Sequence, residues 1–327
     1  LAFPTLLLSI LLSAFASWIL LAFLIPRFRF RLIDQPNSRS SHSRLTPRGG
    51  GAVFVFVSIS ASFIAFVANY SSHSNSYEFI LVPLMGLPLS LVGFIDDLQS
   101  LPAGFRYVVQ LLTAFLVSLG SPLLAHSFYF YPTLLFLLFA VTAVINFTNF
   151  MDGLDGLVAG CMIVLISVCS IQLVAPWPIW ALVGSLMGFL IWNWSPAKVF
   201  MGDVGSTFLG TVFAALVLKA PNWHHALALL LTCTPLLGDA CSCVLRRLFD
   251  RQRIFQAHRL HLFQRLNQAG WSHSRVSSLY IAATAVLAMA FLWGGLPWVT
   301  PLAVLELLIG IWLDQQVAVP FVVASRS

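Results

Sequence analysis

The chain has 327 residues, of which 59% are hydrophobic and only 9% charged, with a formal net charge of +6 and a mean hydropathy of +0.91. Such a composition excludes a soluble domain and gives no reason to expect a nucleic-acid partner. It marks an all-α polytopic membrane protein, expected as a single transmembrane domain over residues 1–327.

In chain order, apolar runs suited to spanning fall near 3–25, 50–68, 79–95, 106–119, 132–147, 154–174, 177–193, 204–218, 224–245, 276–294 and 298–313. These predict about eleven helices. The runs at 106–119 and 204–218 are short and need polar ends or a water-facing cavity. The first run is too long for a signal peptide, lacks a basic start and is followed by "RFRFR", so it is expected to be an uncleaved helix. Cys161, Cys169, Cys233, Cys241 and Cys243 all fall in apolar runs and read as small packing residues, not as a disulfide framework or a metal pair.

If the chain changes sides at every helix, every Lys and Arg except Lys219 falls on one side. The positive-inside rule makes that side cytoplasmic, with the N-terminus outside and the C-terminus inside. The main cytoplasmic loops are then 26–49, basic and glycine-rich, and 246–275. Asp34, Asp96, Asp97, Asp152, Asp155, Asp203 and Asp250 lie at or just beyond the cytoplasmic ends of spans, with Asp239 inside a span near that end. Carboxylates gathered at one depth need arginines, a divalent cation, or both.

Five stretches on that side carry the chemistry. "SRSSHSRLTPRGGG", 38–51, offers Arg44, Arg48 and a glycine backbone that could cradle phosphate or rest on anionic lipid. "GFIDDLQSLPAGFR" places Asp96 and Asp97 about 100° apart on a helix, so both reach one site only where that helix ends. In "NFTNFMDGLDGLVAG", Asn146, Asn149, Asp152 and Asp155 recur every third residue, while Gly153 and Gly156 permit a break that turns several of them together. "SPAKVFMGDVGSTFLG" sets Asp203 between glycines at a helix start, either as a plain cap or as an oxygen ligand beside a metal-bound phosphate. "RIFQAHRLHLFQRLNQAG", 253–270, reads as an amphipathic surface helix with His258, His261 and Arg265 in one stripe, serving as phosphate donors or as an interfacial anchor.

Together "LTPRGGG", "FIDD", "NFTNFMDGLDG", "SPAKVFMGDVGS" and "HRLHLFQRL", in this order and on one side, resemble the polyprenyl-phosphate N-acetylhexosamine-1-phosphate transferases of glycosyltransferase family 4. His258-Arg259-x-His261 departs from the consecutive histidines of the peptidoglycan branch, and Arg48 stands in the glycine-rich loop where that branch typically carries an apolar residue; the pattern is most similar to the O-antigen-initiating branch. The resemblance implies a bacterial inner-membrane enzyme of lipopolysaccharide assembly with its active site on the cytoplasmic face. Its members transfer a sugar 1-phosphate from a UDP-N-acetylhexosamine, GlcNAc or a deoxy relative such as FucNAc or QuiNAc, to undecaprenyl phosphate. UMP is released.

Two anions meet in that reaction, which calls for Mg2+ or Mn2+ and cationic donors. Asp203 is expected as the leading metal ligand and Asn149 as the second. Asp96 or Asp97 is the expected catalytic group, orienting or deprotonating the lipid phosphate or helping to hold the metal, and direct attack and a covalent phospho-aspartyl step both stay open. Asp152 and Asp155 would line the nucleotide side, Phe200 would stack on uracil, and His258, Arg259, His261, Arg44 and Arg48 would bind phosphates. A homodimer is left open. Two rivals are weighed: a CDP-alcohol phosphotransferase, for which "MDGLDGLVAG" lacks the Ala-Arg of that motif, and an ion-coupled transporter with an intramembrane Asp/Asn cation site.

Overall fold

The computed structural model describes residues 3–34, 45–68, 74–252 and 258–325. Chain order begins with α1 (Phe3–Arg31), the two-residue strands β1 (Ile33–Asp34) and β2 (Thr46–Pro47), and α2 (Gly51–Val67). The strands pair antiparallel, Ile33 with Pro47 and Asp34 with Thr46. Next come α3 (Ser74–Ile80), α4 (Val82–Met85), α5 (Leu87–Leu98), α6 (Ala103–Leu119), α7 (Pro122–Ala125), α8 (Phe130–Met151), α9 (Leu157–Gln172), α10 (Trp177–Asn193) and α11 (Asp203–Leu218). The chain continues through α12 (Trp223–Leu231), α13 (Thr234–Phe249), α14 (Leu262–Gln268), α15 (His273–Gly294), α16 (Leu296–Gln316) and α17 (Phe321–Ala324).

Among the described residues, five helical stretches are long and apolar enough to cross a membrane: Phe3–Phe30, Tyr77–Leu98, Phe130–Met151, His273–Gly294 and Leu296–Gln316. A sixth arises if α12 and α13, which meet at 81°, form one broken span. Five more apolar helices, α2, α6, α9, α10 and α11, have 16 or 17 residues. At 1.5 Å per residue these rise about 25 Å, short of a hydrocarbon core of about 30 Å. Burial makes that tolerable at the centre. In α11 every residue except Asp203 and Thr207 is buried, and the helix packs against α8, α5, α2 and α9. A helix apolar all round belongs in such an interior. The long α1 and α16 instead present Leu8, Leu12, Phe15, Leu308 and Trp312 outward.

Close packing rests on small residues. A Cβ on Gly184 or Gly188 of α10 would lie 2.2 Å from the carbonyl oxygens of Ile10 and Ala14, so this Gly-x3-Gly pair lets α1 lie directly on α10.

Two expectations need correction. The run 224–245 is not one straight helix: it breaks at Thr232 and Cys233, and Pro235 opens the second segment. The amphipathic surface helix over 253–270 is also not what forms. Residues 253–257 lie outside the described residues, 258–261 are non-helical, and helix is confined to the seven residues of α14, of which Phe263, Gln264, Arg265 and Leu266 are buried. The stripe of His258, His261 and Arg265 therefore never shares one helical face.

Candidate functional site

The site lies where the C-terminal ends of α5 and α8 meet the N-terminal ends of α2 and α11. Glycine makes that meeting possible. A Cβ on Gly93 would sit 2.6 Å from the backbone carbon of Asp203, and one on Gly51 would sit 2.6 Å from Gly205 Cα. Gly202, at φ +75°, adopts a left-handed conformation, and a Cβ there would lie 2.5 Å from Asp97 Oδ2. The Gly-rich loop is laced to the segment before α11: Phe200 N–H donates to Pro47 O at 2.8 Å, and the N–H groups of Gly50 and Gly51 donate to the carbonyls of Phe200 and Met201, each at 2.9 Å. "LTPRGGG" and "SPAKVFMGDVGS" thus form one unit.

Helix α5 ends at Leu98, with Gln99 extended, so both adjacent aspartates stand in its last turn, where the two can reach one site. Asp96 accepts from Leu101 N–H at 2.7 Å and from Arg106 Nη1 at 2.6 Å. Asp97 receives two long contacts, both 3.4 Å, from the N–H groups of Asp203 and Val204 at the start of α11. Arg106 Nη1 also reaches Asp203 Oδ2 at 3.3 Å, bridging two of the carboxylates. Arg106 is the missed member of this site. It is the sole Lys or Arg between Arg48 and Lys198, a sequence signal that could have singled it out.

The four-residue stripe divides. Asn149 faces the site, its Nδ2 donating to Asp203 Oδ1 at 3.0 Å and Ser206 Oγ at 2.8 Å. The Asn149 carboxamide thus lies directly against the Asp203 carboxylate. Asn146 turns back to its own helix through Thr142 O at 2.9 Å. Asp152 ends α8, and its carboxyl is pushed up to about 7, first by burial and then by the charges of Asp203 and Asp97, against the opposing pull of Arg48.

Asp155 is turned away. Its Oδ2 accepts from Ala197 N–H at 3.1 Å, its Oδ1 lies 3.2 Å from His273 Nδ1, and its backbone carbonyl accepts from Ser277 Oγ at 2.7 Å. Burial opposes its ionisation, but His273 and the Ala197 N–H hold its carboxyl below the usual range. This is a joint between three segments, not a wall of the site.

Arg48 pairs with Asp34 at 2.5 Å. Burial alone would lower its pKa, yet the bond and charge of Asp34, then the charges of Asp97 and Asp203, raise it. Arg44 lies outside the described residues. Phe200 is partly buried, its backbone held by the glycine loop as above.

The histidine segment abuts the same turn, because a Cβ on Gly153 would meet the Phe263 ring at 3.1 Å. His261 is only 2% exposed, with Nδ1 3.7 Å from Asp239 Oδ1, so it offers no open donor to a phosphate. His258 stacks on it at 4.9 Å between centroids, and its pKa falls to about 3 through burial and then the charges of His261 and Arg247. It is a neutral imidazole near pH 7, not the cationic donor expected. Asp239 accepts from Leu262 N–H at 2.7 Å, Phe263 N–H at 3.0 Å and Tyr280 Oη at 2.7 Å, which is why α14 starts at Leu262. Arg265, the third member of the expected stripe, pairs with Asp314 and donates to Leu260 O and Val319 O.

Asp97, Asp152 and Asp203 carry oxygens of the kind a hard cation takes, and the charges of Asp203 and Asp97 add to the burial that lifts Asp152; among the described residues their ligand atoms are not gathered into a metal-ligand cluster. Cys243, His258 and His261 bring one ligand atom each within 4.8 Å of one another, a potential metal-coordinating cluster of sulfur and nitrogen; this corrects the expectation that the cysteines serve packing alone, because the turn before α14 brings both histidines back against α13.

Comparison with known proteins places the chain in a family. Residues 79–220, which carry Asp96, Asp97, Asn149, Asp152 and Asp203, match the model for "Glycosyl transferase family 4". The chain is 27% identical over 274 residues, 76% of its length and 73% of the relative's, to the "Probable undecaprenyl-phosphate N-acetylglucosaminyl 1-phosphate transferase" of Bacillus subtilis (strain 168). It is 30% identical to the phospho-N-acetylmuramoyl-pentapeptide-transferase of Deinococcus radiodurans over 279 residues, 77% of this chain and 86% of that one. With the enzyme of that name from Staphylococcus epidermidis (strain ATCC 12228) it shares 26% identity over 317 residues, 85% of this chain and 96% of the relative. The likeness extends over most of each relative as well as across the carboxylate site, and this multi-pass membrane chain belongs to glycosyl transferase family 4.

Proposed function

We propose that the protein transfers a sugar 1-phosphate from a UDP-N-acetylhexosamine to undecaprenyl phosphate, releasing UMP, on the cytoplasmic face of a bacterial inner membrane. The sugar is GlcNAc or a deoxy relative such as FucNAc or QuiNAc, and the product begins an O-antigen-type polysaccharide. The observation carrying this reading is the convergence of Asp96, Asp97, Asn149, Asp152 and Asp203 with Arg48 and Arg106 at one end of the helices. The printed name of the Bacillus relative supports it, and an arrangement of eleven spans with the N-terminus outside and the C-terminus inside is part of the same proposal.

Asp203 would hold Mg2+ or Mn2+ with Asn149 as its second ligand and Ser206 beside them, and Asp152 would line the nucleotide side. When bound, the ion neutralises the phosphates and the oxygen departing on UMP. Asp97 orients the lipid phosphate and takes its proton, because Asp96 is already neutralised by Arg106, whereas Asp97 holds only long backbone contacts. The lipid phosphate loses its second proton near about pH 6, so the base need not be strong. Arg48 and Arg259 face the diphosphate, and the N-terminal ends of α2 and α11 favour its negative charge. Phe200 flanks the uracil.

The test is purified protein with undecaprenyl phosphate, Mg2+ and a panel of UDP-sugars, scored for UMP and for product mass. UMP with one sugar and the matching lipid product is expected. No UMP with any sugar, together with cation-driven uptake in vesicles, overturns the transferase in favour of a transporter.

A further inference from the structure

We propose that Cys243, His258 and His261 form a zinc site, separate from the carboxylate site, that pins the segment leading into α14 onto α13. The three ligand atoms lie within 4.8 Å of one another. A tetrahedral zinc site with bonds of about 2.0–2.3 Å spaces its ligands by about 3.5 Å, so the side chains need close by only about 1 Å. One thiol and two imidazoles select a borderline-soft ion such as Zn2+ over Mg2+, which prefers oxygen. The magnesium reading of the other site is therefore neither needed nor contradicted.

The surroundings supply what a metal-bound histidine requires. Asp239, one helical turn before Cys243 on α13, lies 3.7 Å from His261 Nδ1. At that separation Nδ1 makes no hydrogen bond and is a buried ring nitrogen without a partner; a small movement of the ring toward Asp239 would let Nδ1 donate to it and leave Nε2 for a metal. Asp239 is itself held by Leu262 N–H, Phe263 N–H and Tyr280 Oη, so its orientation is set from two helices. His258 Nδ1 accepts only a long bond, 3.3 Å, from Leu260 N–H, which an ion bound at that nitrogen would replace. A Cys243 thiolate and Asp239 together match the two charges of the ion; Arg246 and Arg265 share Asp314, and Arg247 adds a further positive charge beside Cys243 and His258.

Three protein ligands leave the fourth position to a solvent oxygen. The consequence is positional. Cys243 is on α13, while His258 and His261 precede α14, whose Phe263 rests on Gly153 beside Asp152. A metal at this place fixes one flank of the carboxylate site without entering it.

The experiment uses the full chain purified in detergent without a histidine tag, with bound metal measured by mass spectrometry. Stoichiometric zinc is expected in the unaltered protein and in Asp203→Asn, and its loss in Cys243→Ser. Replacement of zinc by Co2+ should give the near-ultraviolet thiolate-to-cobalt absorption in the unaltered protein, a readout that needs no variant to fold. Absence of both retained zinc and that absorption, or equal zinc in Cys243→Ser, overturns the proposal. UMP release plays no part in the decision, so the two readings stand or fall separately.

Discussion

Asp155→Asn separates a structural joint from a substrate contact. Asp155 is 7% exposed, and its carboxylate meets both Ala197 N–H and His273, while Ser277 holds its carbonyl. The amide keeps the shape and can satisfy one of the two side-chain partners, but it removes the charge facing His273. Breaking a buried ion pair costs about 3–5 kcal/mol, and because the imidazole can shed its proton the lower figure, about 3 kcal/mol, applies here. At about 2 °C per kcal/mol for a chain of this size, Tm in detergent should fall by about 6 °C. The contribution belongs to a carboxyl held below its ordinary pKa, so it is complete above about pH 4 and lost only as pH falls through the folded value. Scanning fluorimetry near pH 7, with KM for the UDP-sugar alongside, decides it: a lower Tm and an unchanged KM are expected. An unchanged Tm with a raised KM would refute the joint and return Asp155 to the nucleotide wall.

Other perturbations follow from the same geometry. Asp203→Asn should abolish turnover in a protein that still inserts and folds, as measured by UMP release and size-exclusion chromatography. Gly202→Ala places a left-handed residue with its Cβ 2.5 Å from Asp97 Oδ2, costing about 1–2 kcal/mol and most of the activity. Gly104→Ala, which meets no atom within 4 Å, should change neither. With chelator present, the Asp152 carboxyl at about 7 makes stability fall as pH rises from about 5 to about 8, because the folded state must give up a proton it prefers to keep. Added Mg2+ should restore Tm, and Asp152→Asn should flatten the profile. Arg106→Gln removes a cation that competes for Asp203, but the Arg106 and Asp203 side chains are 42% and 34% exposed. Solvent screening reduces that pair to about 1 kcal/mol, a five-fold change at most. Half-maximal activity should need about five-fold less Mg2+, with slower turnover, in a titration of initial rates.

Hydropathy and charge were enough to mark where the helices run. Most expected apolar runs fall on described helices, but among these only five, or six if α12 and α13 form one broken span, are long enough to cross a membrane; Asp96, Asp97, Asn149, Asp152 and Asp203 stand out by carboxylate and amide spacing next to glycine. The pieces of one site were also legible as motifs, because each motif is local: a helix end, a glycine break or a helix start.

What the chain alone determined, then, is periodic and local: apolar length, one-sided basic loops, and polar residues at the ends of particular helices. Tertiary structure decided the pairings, since Asp155 meets its His273 partner 118 positions away and Asp203 meets Asn149 across 54. It also bent α12 against α13, buried His261, and drew Arg106 between Asp96 and Asp203. No periodicity carries such facts, because an ion pair or a buried imidazole depends on which helix ends close packing brings together, and Gly51, Gly93 and Gly202 set that packing.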